Sequence, residues 1–309
     1  MDDPPGPLGW LTKRFSWAAT AWRVQRRFGE VHGSQLAAAV TLGAFLALFP
    51  LLLSVIAVMG FVAHSRPDFA SSLVERMGLT GSAASTVVDA VNRADETRVG
   101  ASIVGFAGLL WSGLGLVGAF EAVFDTVWQV RGRGVKGKLN DLVWLVGAVA
   151  ILAGSVALTA LLNILPGFLA PVAVLAAIAV NVVLWLWTFK VLTNRNVPWS
   201  AHLPGAVLAG VGLQLLTVIG AVYVPRAVAS ASALYGPLGV VLAILAWLLV
   251  FGRLVVYAAA HNVVRWEEDH GTVTVEIELP RVPGDVPIAA TRAGEEIPPA
   301  NDKSAALTG

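Results

Sequence analysis

Cysteine is absent from the 309 residues. Its absence removes disulfides, thiol nucleophiles, thiolate zinc sites and iron–sulfur clusters. Histidine is sparse: His32, His64, His202, His261 and His270 stand alone, in no H-E-x-x-H or comparable metal spacing. Charge is scarce as well, at 13% of residues against about 25% in an average soluble domain. The net charge of +1 supplies no basic field for nucleic acid. The start MDDPPGPLGW is acidic and proline-rich and does not read as a secretory signal peptide. What is plentiful is apolar side chain, 56% of the chain, with a mean hydropathy of +0.73. Lipid tails accept such side chains on every face of a helix, whereas water does not.

The apolar residues fall in six stretches, at about 37–63, 101–120, 141–163, 168–189, 203–224 and 238–260. Each reaches the ~20 residues needed to cross ~30 Å of hydrocarbon as a helix. The expected fold is all-α, a polytopic membrane protein with a six-helix transmembrane bundle spanning residues 31–266. Pro50 predicts a kink or tilt in the first span. Pro166–Gly167 predicts a tight turn between the third and fourth. Residues 1–30 form a cytoplasmic N-terminal segment. Within it, 10–30 mix Phe and Trp with Lys13, Arg14, Arg23, Arg26 and Arg27, the pattern of an amphipathic helix on a membrane surface. Loop 64–100 carries Phe69, Leu73 and Met77 at helical spacing, then Val87, Val88 and Val91. It predicts one or two short helices capping the outer end. Residues 267–309, acidic and then rich in Pro, Ala and Gly, read as a disordered cytoplasmic tail.

Loop charge orients the bundle. Lys and Arg on one side are the five before the first span, then Arg131, Arg133, Lys136, Lys138, Lys190, Arg195 and Arg265. The other side has Arg66, Arg76, Arg93, Arg98 and Arg226. The positive-inside rule places both termini in the cytoplasm. Tryptophan agrees: Trp10, Trp17, Trp22, Trp128, Trp144, Trp185, Trp187, Trp199 and Trp266 all fall toward that same side, as an interfacial belt requires.

Charges at membrane depth are costly and mark candidate sites. Glu121 and Asp125 close the second span, Asp141 opens the third, Lys190 closes the fourth, and Arg253 lies inside the sixth. Arg253 is ~22 Å from the outer edge of the hydrocarbon and ~8 Å from the inner one. Two readings stand: an inner vestibule that binds a headgroup or anion, or snorkelling and ion pairs that fix the bundle. The pairing expected for Arg253 is with Glu121 or Asp125, at a similar depth. Asn181 and Gln214 are intramembrane polar candidates, for interhelical hydrogen bonds or a polar path. Gly105, Gly108, Gly113, Gly115 and Gly118 predict close helix packing. GLGLVG at 113–118 lacks the strand and βαβ unit of a dinucleotide site. No cofactor, metal or nucleic acid is expected.

Several segments together resemble the YihY/virulence factor BrkB family of bacterial inner-membrane proteins, over roughly 20–265. They are Phe49–Pro50 in the first span, Leu109–Ser112 in the second, Leu203–Ala206 opening the fifth, and Tyr235–Gly239 leading into the sixth. Many members end the sixth helix with a small residue, Glu and Asn; here Asn262 fits and Ala260 stands at the Glu position. The resemblance implies a plasma-membrane location. It also implies a link to amphiphilic or lipid-linked molecules, and an old ribonuclease label that the scattered histidines do not support. The expected function is a transporter or flippase of an amphiphilic or lipid-linked substrate. The alternative is a structural or assembly protein that holds partners without transport. Membrane lipids are the expected partners, and a homo-oligomer is compatible with the pattern. An enzyme is not expected.

Overall fold

The computed structural model describes residues 15–76, 80–130, 132, 137–162 and 170–271. Predicted features at 10–14, at Pro166–Gly167 and at 272–309 lie outside these residues. The helices are α1 Ser16–Glu30, α2 Gly33–Ser65, α3 Phe69–Arg76, α4 Gly81–Trp128, α5 Lys138–Leu162, α6 Ala170–Leu192, α7 Leu203–Tyr235 and α8 Pro237–His270. A 3₁₀ turn, Trp199–His202, precedes α7. Six of them (α2 and α4 to α8) are long and apolar enough to cross a membrane, so the chain is an all-α polytopic membrane protein. Six crossings put α1 and the end of α8 on one side, here the near end; α3 lies at the far end.

Neighbouring helices run antiparallel and approach at small residues. Pro50 of α2 lies 2.7 Å from where a Cβ on Gly108 of α4 would sit, and Gly60 packs on the backbone of Ala94. Gly147 of α5 accepts the ring of Trp187 on α6, and Gly210 of α7 accepts Val182 of α6. Without a hydrophobic drive between helices in lipid, such close van der Waals approach is what holds them together. The α7–α8 reversal uses one residue, Gly236, at φ 59° and ψ −141°, a conformation open essentially only to glycine. Pro237 then starts α8 at a position where its missing N–H costs nothing.

Several expectations are revised. The helix that carries the second apolar stretch begins well before 101. α4 starts at Gly81 and runs 48 residues, ~72 Å at 1.5 Å per residue, far more than the hydrocarbon needs. Hydropathy stops at the charged stretch from Asp89 to Arg98, yet Val91 and Ala94 within it are buried against α2, so the helix continues as an amphipathic one. The outer loop therefore contributes one short helix, α3, within the one or two expected, and its second half belongs to α4. Likewise α7 passes through Pro225 and α8 extends to His270, so Glu267–His270 belong to a helix and not to the tail.

The N-terminal helix is also held by the last one. One face of α1 packs on α8, burying Val24 and Phe28, with Phe28 stacked on Tyr257 at 4.3 Å. Its arginines do not all face water. Arg27 pairs with Glu267, Arg23 with Glu268 at 2.6 Å, and Thr20 donates to Glu268 at 3.0 Å. Tyr257 donates to Gln25 at 2.7 Å. Phe15 and Trp17 remain exposed. The two ends of the transmembrane unit are thus clasped together.

Candidate functional site

Burial is unequal along the bundle. In the near half, α4 buries Val117, Phe120, Phe124, Val127 and Trp128, and α6 buries Trp185, Phe189 and Leu192. Their rings interlock: Phe124–Phe189 at 5.0 Å, Trp185–Phe189 at 5.7 Å and Phe120–Trp185 at 5.9 Å. In the far half the same faces are uncovered. Phe106 lies eighteen residues, five full turns, before Phe124, and Val174 lies eighteen before Leu192. Phe106 is 66% exposed and Val174 51%. The aromatic core is therefore a plug filling only the near half, and the faces that meet there open at the far half onto an apolar surface.

The plug has a polar edge. His202 is fully buried at the end of the 3₁₀ turn, stacked on Phe189 at 6.4 Å and edge-on to Trp128 at 5.8 Å. Asn262 of α8 is fully buried, and its Oδ1 accepts the N–H of Gly205 at 2.6 Å, binding the α7 start to α8. Both ring nitrogens of His202, the indole N–H of Trp128 and of Trp185, and Asn262 Nδ2 are buried without a hydrogen-bond partner among the described residues. Each such group carries an uncompensated desolvation cost of ~1–3 kcal/mol. At the rim, Lys190 donates to the Val197 carbonyl at 2.6 Å and lies 5.9 Å from the Trp199 ring. Arg195 stacks over Trp128 at 5.4 Å.

Four of the sequence candidates converge on this near end. Asp141 is buried and held by Lys138 at 3.2 Å, while Trp144 one turn on donates to Thr188 of α6. Lys190 is on the rim. Glu121 and Asp125 are half-buried on α4, and both are engaged in interactions. Arg253 does not join them. It is exposed, and none of the described ion pairs includes it, so the expected α4–α8 link to Glu121 or Asp125 is absent. Its helix phase explains this: Gly252 and Leu254 on either side face α2 and α7, leaving Arg253 on the outer side. Asn181 bonds within its own helix, to the Ala177 carbonyl at 3.0 Å, not across helices. Gln214 is half-buried on α7. Of the five α4 glycines expected to pack closely, Gly105 and Gly108 pack against α2; Gly113, Gly115 and Gly118 face open space.

His202 was not a sequence candidate. A histidine just before a span reads as a loop residue, and its burial arises from the 3₁₀ turn that folds it back among rings from α4 and α6. The donors of Trp128 and Trp185 were hidden within the aromatic belt. One signal was available: Asn262 and Gly205 both lie in segments that carry the family resemblance, and they meet in one hydrogen bond. Pro50 likewise packs on Gly108, the residue just before Leu109–Ser112.

The architecture is that of a six-span helical membrane protein whose largest cluster of buried aromatic side chains lies in the near half. The chain belongs to the virulence factor BrkB family, whose sequence profile matches residues 24–277. It is 28% identical over 281 residues to an uncharacterised protein of Dickeya dadantii, covering 82% of this chain and 85% of that protein. It is 27% identical over 267 residues to the inner membrane protein YhjD of Escherichia coli, covering 77% and 78%. Among solved structures there is no significant match.

Proposed function

We propose that this protein moves an amphiphilic or lipid-linked substrate across a bacterial inner membrane, with the near end in the cytoplasm. The carrying observation is the asymmetry of the core: α4 and α6 are sealed by rings in the near half and present apolar faces, Phe106 and Val174 among them, in the far half. Such a surface suits acyl chains, and the polar edge beneath it suits a headgroup. The inner-membrane location draws on the name of the relative YhjD. The orientation draws on the Lys and Arg asymmetry.

The transport reading is tested by reconstituting the purified chain in liposomes carrying a fluorescent phospholipid. The rate at which inner-leaflet label becomes accessible to a membrane-impermeant quencher is then measured. Faster exposure than in protein-free vesicles is the expected result. Rates equal to those vesicles would overturn transport and favour the scaffold reading, in which the membrane bundle holds partners.

Orientation has its own test, helped by the absence of cysteine. A single cysteine at Ser230, on exposed far-end α7, is expected to react with an impermeant maleimide in intact spheroplasts. One at Asp269 is expected to react only after lysis. The reverse pattern would invert the topology.

A further inference from the structure

We propose that Trp128, His202 and Asn262, beneath Lys190 and Arg195, form a binding site for a phosphate-type oxyanion. Binding there can be measured with no substrate movement, so it stands or falls separately from transport. Three side chains from α4, the 3₁₀ turn and α8 place unpaired polar atoms in an aromatic core, at a cost that hydrophobic residues of the same shape would avoid. Phenylalanine would serve as well as Trp128 or His202 if packing were their only task.

The unpaired set has a chemical bias. The Trp128 indole and the Asn262 amide can only donate at the free atoms, and neutral His202 donates from one nitrogen and accepts at the other. Donors outnumber acceptors, so the missing partner is an acceptor-rich group. Charge points the same way. Lys190 uses one N–H on Val197 and keeps two, and it lies near enough to His202 to act on it electrostatically. Arg195 is exposed, with its guanidinium over the Trp128 ring. Of the carboxylates at this end, Asp141 is held by Lys138 through Oδ2 while its Oδ1 is buried without a hydrogen bond, and Asp125 has interactions of its own. Two cations and a fan of N–H donors are the usual partners of a phosphate oxygen set.

The site is covered in this structure. Arg195 lies over the Trp128 ring and that ring meets the buried His202 edge-on, so entry requires them to swing aside. Trp128 is placed for that, as the last residue of α4, followed by Gln129 in the left-handed conformation at φ 53°. The phosphate can belong to a lipid headgroup or be free, and the two are separable by experiment.

The test uses the full chain in a neutral detergent and follows its melting temperature. Additions are dioleoyl phosphatidic acid, dioleoylglycerol as the phosphate-free control, and inorganic phosphate. Phosphatidic acid is expected to raise Tm and dioleoylglycerol is not; a rise with inorganic phosphate as well would assign a free-anion site rather than a headgroup site. Trp128→Phe and His202→Phe are expected to leave the ligand-free Tm unchanged or raised, since each removes an unpaired group while keeping a ring. Both should weaken the response about tenfold or more, the loss of a charge-assisted hydrogen bond. Arg195→Gln, on the exposed rim, gives the same weakening in a variant whose folding is not at risk. No Tm response to either phosphate source would overturn the proposal, as would a response left intact in Trp128→Phe, His202→Phe and Arg195→Gln.

Discussion

Gly252→Ala is expected to destabilise the protein, and Gly113→Ala to leave it as stable or more so. The two substitutions are chemically identical and both lie inside membrane-spanning helices. They differ in what the added methyl meets. At Gly252 a Cβ would collide with the backbone carbonyl of Ala37 on α2 and come within 3.1 Å of Thr41 Oγ1. Thr41 also reaches the Leu248 carbonyl at 3.3 Å, so this crossing carries a hydrogen bond between α2 and α8. The α2 backbone cannot yield without parting the helices, and overpacking of this kind costs ~1–3 kcal/mol. At Gly113 nothing lies within 4 Å, and exchanging glycine for alanine in a helix gains ~0.5–1 kcal/mol. The check is abundance in the membrane fraction together with the melting temperature in detergent. Equal behaviour of the two variants would dismiss the close α2–α8 approach.

Phe189→Ala is expected to have the largest effect of any single truncation in the plug. Phe189 is fully buried and touches Phe124, Trp185 and His202 at once. In water-soluble cores a Phe→Ala change costs ~3–5 kcal/mol from lost transfer energy plus the cavity left behind. In a bilayer the transfer term shrinks, because the separated helix would sit in equally apolar lipid. The cavity and lost-contact terms remain, which puts the expected loss near ~3 kcal/mol. Phe189→Leu keeps most of the volume and should cost under ~1.5 kcal/mol. A cysteine placed at Ala206, buried in the native protein, should become reactive to a soluble maleimide in the alanine variant and stay protected in the leucine one. Unchanged melting and protection in Phe189→Ala would mean that the rings do not seal the near half.

Six spans, their order and the antiparallel hairpins were legible in the sequence because each rests on a local, additive property, some twenty apolar residues between polar loops. The segments around Pro50, Ser112, Gly205 and Asn262 were legible as family resemblance before their contacts were known. What was not legible depends on partners far along the chain. The extension of α4 through Asp89–Arg98 is stabilised by packing of Val91 and Ala94 on α2, which hydropathy averages away. Arg253 and the α4 carboxylates share a depth, and depth is readable; rotation about the helix axis is set by neighbours and is not. The burial of His202 needs the 3₁₀ turn, and a four-residue turn leaves no periodic trace.

The clasp between α1 and α8 imposes an order of events on synthesis. Arg27 and its partner Glu267 are separated by 240 residues. At ~5–20 residues per second, the arginine emerges ~12–50 s before the glutamate exists. Through that interval α1 has aromatic and cationic side chains and no partner, and the only surface that satisfies both is the lipid–water boundary. The surface-helix pattern in residues 10–30 is then a property of the nascent chain. In the folded chain one face of that helix meets Tyr257, Glu267 and Glu268, while Phe15 and Trp17 stay exposed. Only a chain translated through Glu268 can supply all of those contacts.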